Sequence, residues 1–209
     1  MKVMVIFFTE SEVGAPGYLS KKGEMSATTL SESLELFVKN SLGINIDKNH
    51  ASRLEHINEN ILKDHKDVSL SLRECYLFFK EIFILSGVTP SLKNTSQILG
   101  EKLAIPISLS HELKDAVSQD SKKYCPISKV LKEVFQFIKK EAPLLKLILL
   151  CAPLHDLKSF LKDKVADPIK YKNLLKSLDE ATQEKSISTA FISGVELHKE
   201  KEETWILDL

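Results

Sequence analysis

Residues Leu147–Ala152 read LILLCA, an unbroken apolar run that stops at Pro153. A strand with one wet face alternates apolar and polar residues, so a run without alternation has both faces covered. Helices packed on the two sides of a parallel sheet provide that cover. Even widened to Leu144–Leu154, the run is too short to cross a bilayer as a helix. Met1–Phe8 (MKVMVIFF) and Ile82–Ser86 (IFILS) have the same character, and each is followed by a helical pattern. The alternation predicts an α/β chain with a mostly parallel sheet.

Leu30, Leu34, Phe37 and Val38 fall on one face of a helix over about 24–41, and a second helix is predicted over about 92–103. Ala104-Ile105-Pro106-Ile107 reads as the start of a short third strand, where proline is tolerated. Ile127, Val130, Leu131, Val134 and Ile138 recur at helical spacing. That helix feeds the central strand Leu145–Ala152. Leu157, Phe160 and Leu161 predict a helix over 154–164, and another is expected over 169–179. Ile187–Leu197 and Thr204–Leu209 flank a polar bend, His198–Glu203, and read as a terminal hairpin.

No repeat and no Pro/Gly/Ser-rich linker divides the chain, so residues 1–209 are expected to form one domain. The stretch 43–80 is longer than a passage from helix to strand requires. Ala51, Leu54, Ile57 and Ile61 give it one amphipathic helix; Cys75, Leu77, Phe78 and Phe79 add a more apolar piece. It reads as a helical insertion that caps or flanks the core, with either a packing role or a part in partner contact.

Acidic and basic residues balance at 29 each, so no charge excess points to nucleic acid or a membrane surface. Arg53 and Arg73 are the only arginines. Phosphate recognition usually rests on the bidentate guanidinium fork, for which lysine offers only a point charge. Cys75, Cys125 and Cys151 are odd in number and widely spaced, which favours free thiols and a reducing, cytoplasmic setting. The first apolar run is too short for a signal peptide and passes straight into Glu10 and Glu12.

Four motifs follow one another in an order similar to that of the histidine phosphatase superfamily, also called phosphoglycerate mutase-like. The first strand ends Phe7-Phe8-Thr9-Glu10 where members carry Arg-His-Gly-Glu. Leu19-Ser20-Lys21-Lys22-Gly23 resembles the Leu-Thr-x-x-Gly that precedes the first helix. Ser86-Gly87-Val88 through Thr95-Ser96 follows the spacing of Ser-Ser-Pro-x-x-Arg-Ala-x-x-Thr-Ala, placing Ser91 at the arginine. Ala152-Pro153-Leu154-His155-Asp156-Leu157 stands where a small residue and the second histidine are expected, placing Pro153 at that histidine. The hairpin ending Glu203–Leu209 looks like the last two strands of such proteins. The resemblance implies a three-layer histidine-phosphatase-like fold without a cofactor.

It also implies chemistry that this chain lacks the groups to perform. Members form a phosphohistidine, with a second histidine and two arginines neutralising the phosphate and an acid protonating the leaving group. Phe7 cannot clamp an anion and Phe8 cannot act as a nucleophile; Ser91 and Pro153 bring no charge. The expected pocket is lined by Phe7, Phe8, Thr9, Glu10, Ser91, Pro153 and His155. These replacements describe a pseudophosphatase that binds a protein or a small molecule.

The alternative is a divergent phosphatase or phosphotransferase acting on a phosphomonoester or phosphohistidine. It would use His155, shifted two residues, and Glu10, with Lys93 or Lys22 as cations offsetting the repulsion of a phosphate by Glu10 and Glu12. Cys151 is not the nucleophile of a cysteine phosphatase, because Leu157 stands where the required arginine would be. His50, His56 and His65 lack the spacing of ligands on one helical face. No Walker loop, Gly-x-Gly-x-x-Gly or Gly-x-Ser-x-Gly occurs.

Overall fold

The computed structural model describes residues 3–11, 13–14, 18–46, 70–113, 125–164, 172, 190–197 and 202–207. Six strands, Met4–Phe8 (β1), Ile82–Gly87 (β2), Ile107–Ser110 (β3), Leu147–Cys151 (β4), Ala190–Leu197 (β5) and Glu202–Leu207 (β6), form one sheet. Their order is β3-β2-β4-β1-β5-β6. The first four are parallel, and β5 and β6 join as an antiparallel hairpin beside β1. The LILLC strand lies between β1 and β2, and all its residues are buried. The described helices are Lys21–Leu42 (α1), Leu72–Phe78 (α2), Pro90–Leu103 (α3), Pro126–Glu141 (α4) and Leu154–Lys164 (α5).

Local chemistry sets the helix ends. Ser20 is the N-cap of α1, its hydroxyl accepting from the Gly23 N–H at 3.0 Å. Gly43 closes α1 at φ 62, in the left-handed region that glycine enters without steric cost. Pro90 and Pro126 open α3 and α4, where a missing N–H costs nothing. Ala104, expected to lead into the third strand, instead caps α3 at φ 51, and β3 begins after Pro106. The helix predicted over 169–179 and the amphipathic stretch Ala51–Ile61 fall outside the described residues, Lys172 excepted.

Right-handed crossovers decide which face each helix covers. From β1 the chain moves across to β2 and on to β3, so α1 and α3 share a face and pack on each other. From β3 it turns back to β4, which sends α4 to the opposite face, where α5 joins it. Side chains follow. Phe7 points toward α5 and meets Phe160 with ring centroids 5.2 Å apart. Cys151, the register partner of Phe8, points the other way toward Leu92 of α3. The result is a three-layer α/β fold.

The C-terminal part of the 43–80 stretch belongs to the body of this fold. Cys75 is fully buried, Tyr76 meets Phe137 of α4 edge to face, and the Ser108 hydroxyl donates to the Leu70 carbonyl at 2.7 Å. Ser71 and Glu74 form a reciprocal capping box at the start of α2. No helix among the described residues is long and apolar enough to cross a membrane.

Candidate functional site

The connections leaving β1 and β4 go to opposite faces of the sheet. A crevice is expected between such strand ends, and in open α/β sheets it is the usual ligand position. Here the ladder runs up to that point, with the Ala152 N–H donating to the Phe8 carbonyl at 3.0 Å. Around it stand the tail of β1 (Thr9, Glu10, Ser11), the end of β2 with the first turn of α3, and Ala152 to Asp156.

Hydrophobic packing fills the floor. Phe7 and Phe8 are fully buried, as are Cys151 and Ala152, and Pro153 is buried too. Both phenylalanines belong to the core and present no surface to solvent. Thr9, Ser11 and Ser91 are also buried. Of the residues expected to line a pocket, Glu10 is half-buried and His155 reaches solvent, with 53% of its side chain exposed.

On the β2 side the buried groups are hydroxyls, and they bond within the scaffold. Ser96 donates to Ser86 Oγ at 2.8 Å. The Ser86 hydroxyl sits 3.1 Å from the Gly87 carbonyl and 3.3 Å from that of Leu92, two acceptors for its single proton. Thr95 donates to the Ser91 carbonyl at 2.9 Å, and its oxygen accepts from the Ser11 N–H at 3.1 Å. That bond ties the tail of β1 to α3. Gly87 is required by close approach: a Cβ there would run into the carbonyl of Leu113 and the side chain of Leu92. The loop after β3 therefore closes over the end of β2.

Cys151 lies beneath this network, its thiol 3.9 Å from the Leu92 carbonyl. Burial pushes the thiol well above its ordinary pKa; the hydrogen bond with Ser96 opposes the shift and the Glu10 charge adds to it. A protonated, enclosed thiol is a poor nucleophile. Cys75, Cys125 and Cys151 are all free.

On the other side of the strand ends, His155 occupies the first turn of α5. Its Nε2 lies 3.1 Å from Oδ1 of Asp156, which is buried. Neighbours in a helix rarely face each other. Here the imidazole turns back toward a carboxylate in the first turn, where the helix dipole favours negative charge. Of the groups in the alternative catalytic reading, Lys93 is in the first turn of α3, on the face of the sheet that helix covers, and Glu10 is half-buried just beyond β1. His155 belongs to the helix covering the opposite face. Lys22 is exposed near the start of α1. Arg73 pairs with Glu141 at the far end of α4, and Arg53 lies outside the described residues.

No cluster of three or more His, Cys, Asp or Glu suited to a metal occurs among the described residues. His50, His56 and His65 lie outside them. In the sequence Thr95 and Ser96 stand out only as parts of a motif. Their partnership with Ser86 and Ser11 leaves no mark there, because neither a ten-residue strand-to-helix spacing nor a long-range backbone contact has a periodic signature. The covering role of Leu113 left no signal at all.

No family model matches the chain, and no curated protein matches it. Solved structures with similarity include a SixA protein from Agrobacterium tumefaciens, described as a candidate phosphohistidine phosphatase. It is 13% identical over 94% of this chain and 92% of that one, with a TM-score of 0.44. A protein described as mycobacterial hydrolase 2 is 9% identical over 98% of this chain and 88% of that one, with a TM-score of 0.46. Likeness at these levels carries no activity across.

Proposed function

We propose that this chain is a histidine-phosphatase-like domain without phosphatase activity, serving as a binding or regulatory module. One observation carries the reading. Phe7 and Phe8, at the positions of the motif's arginine and nucleophilic histidine, are fully buried in the core. A fully buried phenyl ring at either position offers a phosphate no charge, no nucleophile and no solvent-facing surface. Pro153 and Ser91, at the second histidine and second arginine, add no charge, and Glu10 brings a negative one close to the same strand ends. Such losses compound: one preorganised donor removed from a transition-state site costs on the order of 10²–10³ in rate. The bound partner is a protein or a small neutral molecule, and the free thiols suit a reducing compartment.

Thermal unfolding with millimolar phosphate or vanadate, paired with phosphomonoester and phosphohistidine hydrolysis assays, tests the proposal. No shift and no turnover are expected. A surviving anion site would stabilise the native state by about 2.7 kcal/mol at a hundredfold excess over Kd. A clear upward shift together with turnover would overturn the reading.

A second reading rests on the exposed His155 held by buried Asp156. In this reading the pair is a relocated catalytic histidine and its orienting carboxylate, with lysines as the cations. It requires wild-type hydrolysis that falls at least a hundredfold in His155→Ala. Unchanged hydrolysis in that variant would remove it.

A further inference from the structure

We draw no further inference here: the strongest candidate, the start of α3, where Thr89 provides no side-chain cap and the buried Ser11 hydroxyl lies without a hydrogen-bond partner beside the first turn, belongs to the site already described.

Discussion

At the end of β2 this chain buries hydroxyls, and at the end of β1 it buries two aromatic rings; both strand ends border β4 and pair with Cys151 in register. The hydroxyls of Ser86, Ser96 and Thr95 stay inside because each has a partner within hydrogen-bond reach. Buried polar groups without partners carry a desolvation cost, so this end depends on geometry. Phe7 and Phe8 need no partners, only volume to fill. The contrast is between an end held by directed bonds and an end held by volume.

The β1 end should therefore be the more sensitive to loss of volume. Phe8→Ala is expected to destabilise by about 3–5 kcal/mol, the usual range for deleting a buried phenyl ring. Phe7→Ala should behave alike, since it also removes the contact with Phe160. Urea denaturation reads both. A loss under about 1 kcal/mol would mean the rings line a space that collapses easily or was already open. Phe8→His should also destabilise, because it places a polar imidazole at a fully buried position.

At the β2 end the cost should depend on pairing. Ser86→Ala removes the acceptor of Ser96, and Ser96→Ala removes a donor to Ser86, so each is expected to cost about 1–3 kcal/mol. The double variant should cost less than the sum, since the second substitution removes the group orphaned by the first. Strict additivity in a double-mutant cycle would show that the two hydroxyls do not depend on each other. The contrast with β1 would then be one of volume alone.

What the sequence made legible divides along the same line. Continuous apolar runs announced β1, β2 and β4, because burial on both faces is written residue by residue. Ile127 to Ile138 announced α4 for the same reason, with 3.6-residue periodicity in place of continuity. The burial of Cys151 followed from its place at the end of such a run, whereas Phe7 and Phe8, expected to line a pocket, are core residues. The Ser86–Ser96 bond, the Ser11–Thr95 tie and the Leu113 carbonyl over Gly87 did not follow. Serine and threonine are common on surfaces, and nothing local distinguishes a hydroxyl whose partner arrives from another element. The end of α3 did not follow either: Ala104 closes the helix in the left-handed region, which an alanine does not signal.

The thiol shared by both ends gives a pH test. Folded Cys151 holds its proton well above the ordinary value of about 9.0, chiefly through burial, and Cys75 does the same. The unfolded chain releases these protons near that value, so the stabilising contribution is complete below pH 9 and is lost as pH rises further. Each thiol should remove about 1.4 kcal/mol per pH unit in that range. Melting temperature followed from pH 8 to 10.5 should fall, and Cys151→Ala should shallow the slope while Cys75 keeps the remainder. An unchanged slope would mean that Cys151 ionises as readily folded as unfolded, and that the lid of hydroxyls above it is open to water.

The smallest effect belongs to the motif that lies outside the contrast. Leu19 to Gly23 carries two lysines, Lys21 and Lys22, while Ser20 and Gly23 act together at the start of α1. The side chain of Ser20 satisfies one of the N–H groups that a helix leaves open at its first turn. Ser20→Ala should cost about 1 kcal/mol, and Ser20→Asp, which keeps the acceptor and adds favourable charge at the helix start, should cost little or nothing. Equal losses in the two variants would argue that Ser20 is held by packing at its half-buried position. Recovery in the aspartate variant would place it with Ser86 and Ser96, among residues that persist because the scaffold bonds to them.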